Sequence, residues 1–313
     1  MAGAARRNWL IWVAVLPVAL WAPVRLLGLD SGFPLVAMMA FTPWVAVLAL
    51  LLAGVAVALE NWAAAALAAL TTVALAAVVL PRALGDATVP IEGHRTIRVL
   101  GANAYVGKAD PHALLDLADR LDVDVLAVEE LTPALRAGLR RAGVRDLLPE
   151  AEIALREGTG SAIYSRLPLA SLDEGRVFTF PMPRVSLALP GGGAVRIVAV
   201  HPITPTRHGT GTWEETLAAL PSAGHGVPWV LAGDFNATLD DSALRDLISR
   251  GYRDAADVAG LGLIPTWPRN RAVGPLITID HVLADRRLGV VSYSVEELRG
   301  SDHRAVFAEL RLP

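Results

Sequence analysis

Three long stretches without a charged residue constrain this chain more than any other feature of its sequence. They cover residues 9–24, 35–59 and 62–80. A helix needs about 20 apolar residues to cross the hydrocarbon core of a membrane. The second and third stretches approach or exceed that length, and the first reaches it by including residues 25–27, with the Arg25 guanidinium snorkelling to the interface. We therefore predict an all-α anchor over residues 1–85 with three transmembrane helices.

Two other interpretations of these stretches fit less well. A cleaved signal peptide would account for the first stretch alone. Helices buried in a soluble core rarely run this far without a polar interruption. The protein as a whole is 53% hydrophobic, and the excess is concentrated in these three stretches. We therefore predict a multi-pass protein of the cell membrane that contacts the lipid bilayer through its N-terminal helices.

The arginines near the N-terminus indicate the orientation of the anchor. Arg6 and Arg7 precede the first stretch, and positively charged flanks tend to stay in the cytoplasm. Arg25 and Arg82 favour the opposite orientation only weakly. With three crossings, the chain after about residue 85 is predicted to lie outside the cytoplasm. The absence of cysteine is compatible with either side of the membrane.

Residues 90–313 differ in character and are predicted to form a second, catalytic domain. They hold 24 Lys+Arg (28 minus four arginines before residue 90) and 28 Asp+Glu (31 minus three), a difference of −4. No basic arm or stripe gives this part the electrostatic footprint of a nucleic-acid-binding protein.

Strand and helix patterns alternate in this part of the chain. The helices are predicted at 110–121, from 133 onwards, at 212–220 and at 241–250, the first two because Asp110-Pro111 and Thr132-Pro133 combine an N-cap with a proline. The strands are predicted at 96–103, 123–128, 151–156, 160–165, 175–179, 184–190, 194–200, 228–233, 276–283, 288–295 and 304–311. Helix–strand units on both sides of a run of hairpins favour two packed sheets with helices outside.

The stretch VLAGDFNATLDD (230–241) ends a buried strand on a carboxylate and an amide two positions apart. A turn is one explanation, because Asp and Asn side chains bond to their own backbone. A calcium loop is excluded, because Leu239 takes the glycine position and Arg245 the bidentate glutamate position. The remaining explanation is a catalytic strand end, which requires partners elsewhere in the chain.

Other predicted strands also end on polar residues. Taken singly, each has a structural explanation as a turn, a helix start or a strand cap. Together they indicate a site, since catalytic groups gather where a rigid sheet presents its loops. Carboxylates, amides and imidazoles suit an oxygen-ligated Mg²⁺ ion and the hydrolysis of a phosphoester. The residues are Asn103, Glu129, Glu130, His201, Asp234, Asn236, Asp280, Asp302 and His303.

Seven ordered motifs resemble those of the endonuclease/exonuclease/phosphatase superfamily. They are ANAY, AVEEL, GSAIYSRLPL, VHPITP, LAGDFNAT, TIDHV and GSDHRAV, over about residues 95–313. That superfamily includes deoxyribonuclease I, abasic-site endonucleases, bacterial sphingomyelinases and inositol polyphosphate phosphatases. The resemblance implies an α/β fold, the four-layered sandwich of deoxyribonuclease I, and a hydrolase that acts on phosphoric diesters.

The resemblance also implies a metal site. Glu130 matches the metal-binding glutamate, with Glu129 where a glutamine is usual, and Asp302 matches a carboxylate on the metal side. Asn103 and Asn236 match amides that orient phosphate oxygens, the metal or the attacking water. The implied cofactor is Mg²⁺, or Mn²⁺ in its place.

The same resemblance implies the groups that move protons. Asp234 matches the aspartate that positions or deprotonates the attacking water. His303 matches the histidine that faces the scissile phosphate, and Asp280 the carboxylate that orients it. His201 matches a second histidine of the deoxyribonuclease I and sphingomyelinase branches. Abasic-site endonucleases have a tyrosine at that position and an aspartate where this chain has Tyr105, so that branch is disfavoured.

The substrate stays open at this level. Membrane tethering and the acidic domain favour a phospholipid or another envelope-linked phosphoester. An extracytoplasmic nuclease of the deoxyribonuclease I type is the first alternative, with nucleic acid as substrate. A noncatalytic, membrane-anchored binding domain is an alternative of another class. The sequence gives no indication of a protein partner.

The predicted topology can be tested with reporter fusions. Alkaline phosphatase fused after residue 90 should be active, and green fluorescent protein fused there should be dark, because three crossings from a cytoplasmic N-terminus end outside the cytoplasm. The opposite pattern of the two reporters would show that the chain crosses the membrane an even number of times.

Overall fold

The computed structural model describes residues 2–86, 95–156, 159–172, 179–269 and 271–313. It begins with helices α1 (Ala2–Leu27), α2 (Leu35–Met39), α3 (Thr42–Ala58) and α4 (Trp62–Val79), followed by a short 3-10 helix, Leu80–Ala83. The strand predicted at 175–179 lies, apart from its last residue, outside the described residues.

Two helical stretches are long and apolar enough to span a membrane, Trp9–Leu27 and Trp62–Ala83, whereas Thr42–Ala58 has only 17 residues. The apolar run 35–59 is therefore not one helix. It breaks before Thr42, whose hydroxyl donates to the Met39 carbonyl (2.7 Å) and accepts from Trp21 (3.0 Å). Three crossings stay a prediction.

The rest of the chain alternates strands and helices, as predicted. The helices are α5 (Pro111–Arg120), α6 (Pro133–Arg141), α7 (Val144–Leu147), α8 (Thr210–Ala218), α9 (Ser242–Ser249) and α10 (Ala255–Val258). The strands are β1 (Thr96–Asn103), β2 (Val125–Leu131), β3 (Glu150–Arg156), β4 (Thr159–Ser165), β5 (Leu169–Ser171), β6 (Arg184–Ala188), β7 (Ala194–Val200), β8 (Trp229–Asp234), β9 (Tyr252–Asp254), β10 (Asp280–Asp285), β11 (Gly289–Glu297) and β12 (Arg304–Arg311).

The strands form two six-stranded mixed sheets. Their strand orders are β11-β12-β1-β2-β4-β3 and β5-β6-β7-β8-β10-β9. In each sheet a parallel pair, β1 with β2 and β7 with β8, is flanked by an antiparallel strand, β12 or β10. The carboxyl ends of the parallel strands and the starts of β10 and β12 therefore meet along one edge.

The hydrophobic core has three layers, which gives four layers of secondary structure. Between the sheets, Val99 and Val125 pack with Ile197 and Val230. The outer face of the first sheet packs on α5 and α6, and that of the second on α8 and α9. Alternate residues of β1 serve two layers because side chains alternate across a strand. The predicted four-layered α/β sandwich is confirmed.

Two glycines allow the sheets to approach each other beside this edge. A Cβ on Gly101 in β1 would lie 3.1 Å from the Gly233 nitrogen in β8. Gly233 has φ +133°, and a Cβ there would lie 2.5 Å from the Val200 carbonyl oxygen and 2.6 Å from Glu129 Oε1. No side chain larger than hydrogen fits at Gly233, so the two sheets approach each other closely beside their polar strand ends.

The apolar helices are joined to the sandwich by a buried group of charges. Arg25, at the end of α1, donates from Nε to Asp240 Oδ1 (2.6 Å), and Arg82 donates to both oxygens of Asp240 (2.8 and 2.6 Å). All three residues are buried. Arg25 thus binds the sandwich, where we had expected it to snorkel to the membrane interface.

The substitution Asp240→Asn should destabilise the protein strongly. It leaves two buried guanidinium groups without their counter-charge, and breaking a buried ion pair from one side typically costs about 3–5 kcal/mol. The thermal midpoint of the detergent-solubilised protein measures the effect. Asp246→Asn, an equivalent change at an exposed position of α9, is the control and should leave the midpoint nearly unchanged. Equal midpoints for the two variants would contradict this account of the joint.

Candidate active site

The predicted polar residues gather at the shared edge of the two sheets. Asn103, Glu130 and His303 come from the ends of β1, β2 and the start of β12, and the other sheet contributes His201, Asp234 and Asp280. They line or adjoin one cleft of about 420 Å³. We refer to this cavity as the cleft.

Asn103 connects the two sheets inside the site. Its Nδ2 donates to Asp234 Oδ2 across the sheets (2.9 Å) and to Glu130 Oε1 on the neighbouring strand (3.2 Å). Its Oδ1 accepts from the Tyr105 amide (2.9 Å). The second Glu130 oxygen accepts from the Val106 amide (2.6 Å). The orientation of the Asn103 amide is therefore determined by partners on three sides.

His303 and Asp280 form a buried pair. His303 Nδ1 lies 3.0 and 3.1 Å from the two oxygens of Asp280, while Nε2 points into the site, 3.9 Å from Asp234 Oδ2. The Ser301 hydroxyl positions the loop by accepting from the His303 amide (3.0 Å) and donating to the Asn103 carbonyl (2.7 Å). The imidazole can thus present one N–H to a ligand in the cleft.

Burial alone would lower the pKa of His303. The charges of Asp280 and Asp234, and the hydrogen bond to Asp280, outweigh that effect and raise the pKa to about 10. His303 is therefore a cation at neutral pH and a candidate proton donor.

His201 is a second histidine beside Asp234. Its Nε2 is 3.6 Å from Glu130 Oε1 and 3.8 Å from Asp234 Oδ2. Its ring stacks on Phe180, with centroids 5.1 Å apart and planes inclined by 14°. A stack of this kind restricts the ring without using either nitrogen, which leaves Nε2 available to the site.

Asn236 and Asp302 complete the predicted set. Asn236 donates from its amide side chain to the Pro202 carbonyl (3.1 Å), and its backbone N–H donates to Asp234 Oδ1 (2.8 Å). Asp302 Oδ2 accepts from Trp267 Nε1 (3.4 Å), whereas Oδ1 is buried with no hydrogen-bond partner. The structure therefore brings together all eight residues to which the family resemblance gives a role, and the ninth polar residue, Glu129, is buried beside them.

The backbone around the cleft adopts an uncommon conformation at four positions. Tyr105, Val106, Glu130 and Asn236 have φ between 48° and 54°. This left-handed region is tolerated by asparagine but is rare for a β-branched residue such as Val106. Residues of this kind persist where the surrounding structure determines them strongly, and they concentrate at functional sites.

Two buried carboxyl groups, Glu129 beside the site and Asp234 within it, have raised pKa values. Burial raises the pKa of Glu129 well above its usual range, and the charges of Asp280 and Asp234 add to the effect. Burial also raises the pKa of Asp234, against the opposing charge of His303. In its neutral form Glu129 resembles in shape and charge the glutamine that is usual there in the family resemblance.

The donor atoms of the site fit a hard divalent cation. Carboxylate oxygens are the preferred ligands of Mg²⁺, and Glu130, Asp234 and Asp302 all line the cleft. Within the described residues, ligand spacing alone selects a different group, Asp234, Asp280 and His303. Since His303 and Asp280 already bond each other, we favour Glu130 and the unpartnered Asp302 oxygen as ligands.

Several residues of the site escaped the sequence analysis. Phe180 and Trp267 are aromatic residues in loops. Ser301 contributes through its hydroxyl, which bonds backbone groups of Asn103 and His303. The largest omission is the segment between α1 and α3, since Val36 and Phe41 line the cleft. No local signal in an apolar run indicates contact with a catalytic site.

A family model and solved structures match the chain. The model described as the endonuclease/exonuclease/phosphatase family matches residues 100–303. No curated protein matches the sequence. The solved endonuclease/exonuclease/phosphatase from Beutenbergia cavernae DSM 12333 is 20% identical, with a TM-score of 0.53 over 70% of this chain and 72% of that chain.

TDP2 from D. rerio is also similar in structure. A form humanised by 14 mutations gives a TM-score of 0.56 at 15% identity, over 69% of this chain and 99% of that chain. The form complexed with a single-strand DNA product gives 0.55 at 14% identity, over 70% of this chain and all (100%) of that chain. At such identities the similarity establishes the fold alone.

The pair formed by His303 and Asp280 leads to a prediction about pH. Asp280→Asn removes the carboxylate charge that raises the pKa of His303 and leaves only a weaker amide acceptor, so the imidazolium should lose its proton at a lower pH. The alkaline limb of kcat/KM against pH, measured with bis-p-nitrophenyl phosphate, should move down by about one pH unit or more. Asp116→Asn, at an exposed position of α5, should leave the limb in place. An unmoved limb in Asp280→Asn would argue against His303 as the acid.

Proposed function

The chain belongs to the endonuclease/exonuclease/phosphatase family and is a hydrolase of the phosphodiesterase or nuclease type, and from that premise we propose that it is a membrane-anchored phosphodiesterase dependent on Mg²⁺ or Mn²⁺. The observation that carries the proposal is the convergence of Asn103, Glu130, Asp234 and His303 at one cleft, where the hydrogen bond from Asn103 to Asp234 joins the two sheets.

Asp234 is proposed to position and deprotonate the attacking water. Its raised pKa makes it a better base than an exposed aspartate, and Asn103 and the Asn236 amide fix its orientation. His303 is proposed to protonate the leaving oxygen, because its Nε2 faces Asp234 and its charge is held by Asp280. His201 is proposed to bind a nonbridging phosphate oxygen from the other side. Asn236 is proposed to help orient the phosphate or the water.

Glu130 and Asp302 are proposed as the metal ligands, with Asn103 beside them. A bound divalent cation would supply the positive charge that a phosphodiester requires before an oxygen nucleophile can approach. The chain's own contribution is to hold the two carboxylates apart. The Val106 amide binds Glu130 (2.6 Å), and Trp267 binds Asp302 (3.4 Å).

The proposed anchor consists of α1, α3 and α4, with the catalytic part, residues 90–313, outside the cytoplasm. Helix α3 runs antiparallel to both α1 and α4. The ends of α1 and α4 contact Asp240, and the start of α3 lies beside the sandwich through Trp44, which donates to the Leu276 carbonyl (3.0 Å). All three therefore have one end at the sandwich, which supports a bundle standing in the bilayer with the catalytic part at its surface.

A nuclease is the second candidate. TDP2 has this fold and was solved with a single-strand DNA product, and the core chemistry would be the same. A noncatalytic binding domain is not supported, because the chain has a hydrolase family domain and every predicted catalytic position carries a functional side chain.

The proposed metal site can be tested directly. Glu130→Gln should lower the hydrolysis of bis-p-nitrophenyl phosphate by about 10–100-fold or more, because an amide is a weaker ligand for a hard cation. Glu150→Gln, the same change on an exposed edge strand, is the control and should be fully active. EDTA should abolish activity, and added Mg²⁺ or Mn²⁺ should restore it. Full activity in EDTA would refute the metal assignment.

A further inference from the structure

One wall of the cleft is built by the proposed anchor. Val36, Ala37, Ala40 and Phe41, which lie between α1 and α3, line the cleft together with the catalytic carboxylates. We refer to these four residues as the anchor wall. Ile277 and Ile279 of the sandwich continue the same apolar surface. The cleft therefore has a polar side that suits a phosphate and an apolar side that suits hydrocarbon.

The anchor wall is fixed to the sandwich. Val36 is only 2% exposed and packs in the core layer that contains Trp213 and Phe235. Asp30, in the same connection, accepts from the Ser242 amide (2.8 Å). The apolar side of the cleft is therefore held in place by packing and hydrogen bonding to the sandwich.

The connection that carries the anchor wall, and residues near it, expose apolar side chains. Phe33, Met38 and Phe41 on the connection are between 41% and 50% exposed. Val106, which lines the cleft, is 58% exposed. Trp44, at the start of α3, is exposed and occupies the position that aromatic residues favour at a membrane interface.

The charge of the cleft also discriminates between substrates. Within the described part of the chain, no lysine or arginine lines the cleft. Proteins that bind nucleic acid neutralise successive phosphates with such residues. A lipid presents one phosphodiester at the depth of the headgroups, directly joined to hydrocarbon, and so requires only a single charged subsite.

We propose that the substrate is a phospholipid of the surrounding membrane, with its phosphodiester at the catalytic residues and its acyl chains along the anchor wall. The inference rests on the proposed function. Water adds to phosphorus and the P–O bond to one of the two alcohols breaks. One proton of the water passes to Asp234 and the leaving oxygen takes a proton from His303. The products are an alcohol and a phosphomonoester.

The experiment uses the full chain in vesicles of equal parts dioleoylphosphatidylcholine and dioleoylphosphatidylglycerol with Mg²⁺ or Mn²⁺. Mass spectrometry follows diacylglycerol and phosphatidic acid, one of which must form. Bis-p-nitrophenyl phosphate and a single-stranded DNA oligonucleotide are assayed with the same preparation. The lipid should be hydrolysed, and the oligonucleotide should be cut much more slowly.

Phe41→Ala and Met38→Ala form a matched pair, because both residues are 41% exposed but only Phe41 lines the cleft. Phe41→Ala should lower the lipid rate about tenfold more than the bis-p-nitrophenyl phosphate rate, since it removes apolar surface from the acyl-chain site. Met38→Ala should not change that ratio.

Three outcomes would overturn the inference. If DNA is cut faster than lipid, or if the two variants change the ratio equally, the phospholipid assignment is wrong while metal-dependent hydrolysis of bis-p-nitrophenyl phosphate upholds the proposed function. If the wild-type chain hydrolyses none of the three substrates with either metal, the proposed function fails and the inference fails with it.

Discussion

The contact between Gly101 and Gly233 is the constraint on which the site depends. Two sheets normally pack about 10 Å apart because side chains fill the space between them. Here β1 and β8 approach until a Cβ on one strand would press on the backbone of the other. Asn103 and Asp234 follow these glycines by two residues and one residue. Their side chains can therefore bond directly across the sheets, at 2.9 Å.

In this arrangement the core supports the site, and the residues at the strand ends supply its chemistry. The layer between the sheets supplies rigidity through aliphatic residues such as Val99 and Val230. The polar residues lie at strand ends, where a change in the sequence or length of a loop can alter the site without disturbing the core. Glu130 and Asn236 both have left-handed backbone. The Glu130 side chain lines the cleft, and the Asn236 backbone amide donates to Asp234. The packing of the two sheets stabilises these unfavourable backbone conformations.

Much of the fold could be predicted from the sequence because its strands are bounded by turn signals and its helices by caps. The errors have physical causes. The strand predicted at 276–283 begins instead at Asp280, because the residues before it turn to the cleft, and the hydroxyl of Thr266 binds the amides of Ile279 and Asp280. The three-residue strands β5 and β9 are too short to show a periodicity.

The site could be predicted residue by residue only through the family resemblance. The sequence contains the pair Asp-His twice, at 280–281 and 302–303. His281 faces away from the cleft, where it bonds Asp254 (2.7 Å) and the Ala237 carbonyl (2.9 Å), because neighbours on a strand point to opposite faces. Periodicity alone does not reveal which histidine meets which aspartate. Nor does it reveal the anchor wall, which contacts residues some 200 positions away.

The joint at Asp240 has a consequence for how the protein can be divided. A chain that began at residue 90 would keep Asp240 in a buried position but lose Arg25 and Arg82, and it would uncover the core layer that Val36 now closes. An unpaired buried carboxylate and an open apolar face both favour aggregation. The change in composition near residue 85 therefore does not mark the end of a folding unit, because folding and solubility depend on the residues on both sides of it.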